Sequence, residues 1–119
     1  MSRKKDFFED MAVAISLWIE SATKAVSDMS TDLIWTDKPE SFKRVQNTLT
    51  KEGIDREDIQ QVFSECFQGL AISFLTIIDG GTALAEKGRV YLVDQKGTKL
   101  GEGLHDEFVE YLMDTGRLD

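Results

Sequence analysis

The stretch from Asp55 to Gly81 constrains this chain more than any other. From Ile59 the apolar residues fall at Val62, Phe63, Cys66, Phe67, Leu70, Ala71, Phe74, Leu75, Ile77 and Ile78. Steps of three and four dominate, the mark of a helix with a wide apolar face. Asp55 suits the N-cap, and Glu57 and Asp58 place negative charge in the first turn, where free N–H groups favour it. Asp79-Gly80-Gly81 supplies residues that end helices. A helix over about 55–79 is a rod of about 36 Å at 1.5 Å per residue. From Cys66 onward only Gln68, Gly69, Ser73 and Thr76 interrupt its apolar surface. The pattern therefore predicts a central rod covered on several sides. The run from Cys66 to Ile78 is 13 residues with acids at both ends. That is short of the roughly 20 residues of a membrane span, so the rod reads as core and no membrane role is expected.

The other segments arrange themselves around it. A first helix over about Lys4 to Met29 carries a seam of Phe8, Met11, Ile15, Trp18, Ala22 and Val26. A second begins at Pro39, a residue that suits the first helical position, and ends at Gly53. Its stripe of Phe42, Val45 and Leu49 is narrow. Ile54 is placed to contact Leu49 behind it and Ile59 ahead. Arg89–Asp94 is β-rich, Gln95-Lys96-Gly97 is turn material and Thr98-Lys99-Leu100 can return. A β-hairpin over about 89–100 is expected, with one face laid on the helices because a lone hairpin is marginal in water. Leu104 to about Asp114 forms a last helix with Leu104, Phe108, Tyr111 and Leu112 inward. The expected fold is α+β and predominantly helical: a bundle around the long central helix, one hairpin and a C-terminal helix. A length of 119 residues fits a single domain, 1–119.

Net charge is −8, and it divides unevenly, −1 over residues 1–53 and −7 over residues 54–119. Nucleic-acid binding needs clustered Lys and Arg, which this acidic half lacks. The Gly53 corner has the outline of a helix-turn-helix, but Asp55, Glu57 and Asp58 stand where a recognition helix meets DNA. One cysteine, Cys66, permits no intrachain disulfide, and the N-terminal segment is an amphipathic helix instead of a secretory signal, so the expected location is cytoplasmic. Cys66 is expected on the buried side of the rod as inert packing.

Chemistry has few places to sit. His105 is the single histidine, and with one cysteine it falls short of a zinc set. No spacing supports a calcium or magnesium loop, so no metal is expected. Gly97, Gly101 and Gly103 lie between an expected strand and a helix, as a phosphate cradle would. Asp106 and Glu107 then occupy the turn where phosphate would rest, and no cofactor is expected.

Small, acidic and poor in catalytic groupings, the chain resembles immunity or antitoxin-like inhibitors in class and composition alone. The leading expectation is a non-enzymatic interaction module whose acidic half meets a basic protein. Asp94, Glu102, Asp106, Glu107 and Glu110 would make the contact, with Trp35 as an apolar anchor. The alternative is a small-ligand site or weak enzyme between the hairpin and the last helix, using Asp79, His105 and Asp106. Self-association to a homodimer through surplus apolar surface on the first helix is a third. The order of binder over catalyst depends on the rod being interior and the late carboxylates facing outward.

Overall fold

A computed structural model describes residues 3–118. Its secondary structure is helical: α1 (Lys4–Ser27), α2 (Pro39–Lys51), α3 (Arg56–Ile78), a 3-10 turn over Ala83–Lys87, and α4 (Leu104–Asp114). The chain divides into two compact units, one of residues 3–14 with 68–118 and one of residues 15–67.

In the first unit, α4 supplies the centre. Leu104, Phe108 and Leu112 repeat every four residues and are buried, together with Phe8, Ala12, Leu75 and Leu100. The Phe8 ring lies 5.2 Å from Phe108 and 5.9 Å from Tyr111, tilted against both. Such tilted arrangements suit the aromatic quadrupole. The Lys4 ammonium meets the Glu107 carboxylate beside these rings. Beyond α4, Gly116 turns left-handed at φ 74°, and the amides of Arg117 and Leu118 both donate to the Leu112 carbonyl. Gln68 of α3 reaches the Arg117 carbonyl at 3.4 Å.

In the second unit, Ile19, Ala25, Val26 and Ile59 are buried with two polar side chains, Thr23 and Gln46. Both are satisfied: Thr23 donates to the Ile19 carbonyl at 2.6 Å, and Gln46 donates to the Ala25 carbonyl at 2.6 Å and to that of Asp28 at 3.4 Å. Gln46 thus closes the Ala25 carbonyl, in the last turn of α1, which no helical N–H reaches, and joins the Thr31 amide on the Asp28 carbonyl just beyond it. α2 ends at Gly53, φ 67°, where Ile54 N–H donates to the Leu49 carbonyl, the long bond of a Schellman ending.

Two expectations are overturned. The fold is not α+β: it is 66% helix, and no β-strand exists among the described residues. In place of the hairpin over 89–100 there is one antiparallel bridge, Val93 to Lys99. The Asp94 carboxylate accepts the amides of Lys96 and Thr98 at 2.8 and 3.0 Å and closes a tight turn. Val90, Tyr91 and Val93 stay exposed. Without an apolar layer on one face, alternating side chains do not hold a two-stranded ribbon. The Tyr91 ring instead takes cations, with Lys99 Nζ at 3.8 Å and the Arg89 guanidinium at 4.9 Å from its centre.

The second correction concerns the rod. α3 forms, but it is not interior: Ile59, Gln68 and Leu75 are its buried residues, whereas Val62, Leu70 and Phe74 are 60%, 56% and 58% exposed. Cys66 is exposed as well. The apolar surface of α3 is wider than what packs against it.

Candidate functional site

Two features stand out: an open apolar seam along α3, and the junction where α3 hands over to α4. The seam is Phe63, Phe67, Leu70, Phe74 and Ile77, spaced by four, three, four and three residues on one uninterrupted helix. That is the spacing at which one helix meets another through knobs and holes. Leu70 and Phe74 are exposed, and Phe63, Phe67 and Ile77 are half-buried. The Phe63 and Phe67 rings stack at 5.4 Å, so this part of the seam is already ordered. Cys66, Gly69 and Ser73 flank it as a strip of small residues. The opposite side of α3 carries Gln68 and Leu75, both buried. An 18-residue window within Arg56–Lys87 reaches a mean hydropathy of 1.4, enough in length and composition to cross a membrane.

The junction is built from Asp79. Gly103 opens α4 in a left-handed conformation, φ 64°, and has no side chain with which to cap it. Asp79 caps it from 25 residues back: its carboxylate accepts the amides of Leu104 at 2.9 Å and His105 at 2.8 Å and also meets His105 Nδ1. The side chain is 6% exposed. Burial acts to raise its pKa, but the bonds from the His105 amide, the His105 ring and the Leu104 amide outweigh it and hold the carboxyl below 3.8. His105 moves the other way: its bond to Asp79 raises the imidazole above 6.5 against an opposing effect of burial. Nε2 points outward, 3.5 Å from Asp106. Arg89 completes the junction by donating to the Ile78 carbonyl at 2.9 Å and to Glu102 at 3.2 Å.

Chemically, a histidine held through Nδ1 by a carboxylate is an oriented base. Here the same carboxylate also caps a helix, so the pair fastens α4 to the end of α3. The structure does bring Asp79 and His105 together, with Asp106 at the rim. A cleft of about 520 Å³ lies elsewhere in this unit, lined by Arg3, Asp6, Asp10, Asp94 and Lys96 among others. No group of three or more metal-ligating side chains exists among the described residues.

The acids expected to meet a basic partner are scattered in role. Asp94 holds its own turn, where the amides of Thr98 and then Lys96 keep its pKa low. Glu102 pairs with Arg89 and Glu107 with Lys4. Asp106 and Glu110 face outward. Trp35 is 51% exposed, but its ring stands edge-on to Trp18 at 6.1 Å and Phe42 at 5.1 Å, a loop packed over the second unit. The α3 seam was absent from the expected contact residues. Its heptad spacing was in the sequence, but the extent of its exposure was not.

No family model matches the chain, and no curated protein or solved structure matches it.

Proposed function

We propose that this protein is a non-enzymatic association module that works by docking the α3 seam on another helical surface. The observation that carries the reading is the exposure of Leu70 and Phe74 within a row of apolar residues at heptad spacing. Soluble proteins rarely leave such rows bare, and where they do the surface is usually a contact. The acidic residues have less to offer as a contact set, since Asp94, Glu102 and Glu107 are committed to their own fold. The interior rod on which the expected order of binder over catalyst depended is absent, so that ground is lost, and docking is preferred here on a different one. Open apolar area drives association, and the oxygens of Asp79 are occupied by backbone amides.

Leu70→Glu and Phe74→Glu test the reading. On an open face each changes folding stability by no more than about 0.5 kcal/mol, measured by urea unfolding at low protein concentration. Together they abolish the fluorescence of a dye that reports apolar surface. A loss above about 2.5 kcal/mol for Leu70→Glu would place that side chain in a core and remove the seam as a docking surface.

A further inference from the structure

We infer that the occupant of the α3 seam is a second copy of this chain, its α3 laid antiparallel to the first and crossing near Leu70. The inference rests on the docking reading above and adds the identity of the partner. Its first support is the order of large and small residues. About a two-fold axis at Leu70, residue i of one copy faces residue 140 − i of the other, so Phe74 meets Cys66, Phe67 meets Ser73, and Phe63 meets Ile77. Phe74 and Phe67 are thus each set opposite a small residue on both sides of the axis, and Phe63 and Ile77 close the ends of the seam with apolar surface, a pattern that allows interdigitation next to the axis. A parallel pair in register would put Phe67 on Phe67 and Phe74 on Phe74, and would leave Cys66 and Ser73 facing themselves across a gap.

The second support is charge. A parallel pair stacks Asp55, Glu57, Asp58 and Glu65 on their own copies. The antiparallel pair carries the acidic start of each α3 toward the end of the other, where Glu86 and Lys87 balance and Arg89 is already paired with Glu102, and so avoids that like-charge stacking. Helix dipoles run head to tail in that arrangement, which is also favourable. Such a contact is isologous, the geometry of most small homodimers.

Lipid is the competing occupant, given the hydropathy of Arg56–Lys87. Against it, the far side of α3 holds Leu75 in the first unit's core and Gln68 on the Arg117 carbonyl. Spanning a bilayer would strip those contacts away, whereas a second helix covers the open side and leaves them in place. From Phe63 to Ile77 the seam is about 21 Å long. A helix pair of that length covers less than the ~800 Å² per partner of a standard interface, so the dimer belongs to the weak, micromolar class.

The experiment is sedimentation velocity on the full chain from about 1 to 500 µM, a range that brackets such affinities. It is paired with oxidative cross-linking of three proteins: the wild type, Cys66→Ser, and Leu70→Cys in the Cys66→Ser background. Wild type shifts from monomer to dimer over that range, and Leu70→Glu weakens the shift more than about tenfold. Leu70→Cys with Cys66→Ser cross-links, because the two copies of position 70 meet. Wild type does not, because its two cysteines lie about 12 Å apart along the axis, beyond the ~7 Å reach of a disulfide. Ready cross-linking of wild type through Cys66 would overturn the antiparallel geometry. A monomer at every concentration that still binds the dye in a Leu70-dependent way would overturn the second copy and leave the docking reading standing. A monomer indifferent to Leu70→Glu in both assays would overturn both. A monomer that sediments with phosphatidylcholine vesicles, and ceases to do so in Leu70→Glu, would assign the seam to lipid.

Discussion

Replacing Asp79 by alanine removes the carboxylate that caps α4, and the cost follows from its contacts. Two backbone amides, on Leu104 and His105, lose a charged acceptor at 2.9 and 2.8 Å, and the His105 ring loses its partner. A lost N-cap costs about 0.5–2 kcal/mol, and bonds to a charged acceptor contribute about 1.5–3 kcal/mol each when water cannot replace them. The two amides are only partly buried, so water recovers a share, and Asp79→Ala is expected to cost about 2–4 kcal/mol. Asp79→Asn keeps one acceptor oxygen without the charge and should cost about half as much. For a chain of this size each kcal/mol moves Tm by roughly 3–6 °C, so the alanine variant melts about 10 °C lower. Urea unfolding should show the midpoint falling with an unchanged slope, and hydrogen exchange should accelerate first at the Leu104 and His105 amides. An alanine variant with a wild-type midpoint would show that α4 is not started by Asp79. Equal losses for alanine and asparagine would show that the charge has no part in it.

The same pair predicts a pH dependence. His105 is raised above 6.5, so its contribution is complete below that value and fades as pH rises through the folded pKa; Asp79 is lowered below 3.8, so its contribution is complete above that value and fades as pH falls through the folded pKa. Stability from this junction is therefore greatest between about pH 4 and 6.5 and declines as pH rises through the raised pKa of His105, and His105→Asn flattens the decline in a series of melts. Gln46→Ala leaves the Ala25 carbonyl at the end of α1 without its partner and should cost about 1–3 kcal/mol by urea unfolding. Phe108→Ala empties the centre of the first unit beside Phe8 and should cost about 3–5 kcal/mol, whereas Met113→Ala on the exposed side of the same helix should stay within about 0.5 kcal/mol.

The helical part of the fold was readable because periodicity and punctuation agree: Ile59 to Ile78 repeats in threes and fours between Asp55 and Gly80, and α3 runs Arg56–Ile78. Periodicity gives the width of an apolar face, not what lies against it, so the rod was expected inside when much of it is outside. The hairpin failed for a related reason. Arg89 to Leu100 has strand composition, but composition does not supply a layer to pack on, and local bonds to Asp94 and cations over Tyr91 prevailed. The Asp79–His105 contact was within reach. Gly103 leaves the start of α4 without a capping side chain, and a buried helix start needs one from somewhere. Nothing local marks Asp79 as the acceptor that makes that cap, since its sequence neighbours already explain it as a helix stop.

Capping a helix from 25 residues away makes a closed ring of the chain between, with Asp79 and Leu104 as its clasp. Arg89, bonded to the Ile78 carbonyl, ties the ring a second time close to where it begins. Because the entropy of closing a ring grows only as the logarithm of its length, doubling it costs about 0.6 kcal/mol. Inserted peptide should therefore cost little in the exposed part of the path outside the turn that the Lys96 and Thr98 amides close on Asp94. The register of α4 against α3 would survive such growth, since it is fixed at the clasp and not by the length of the path.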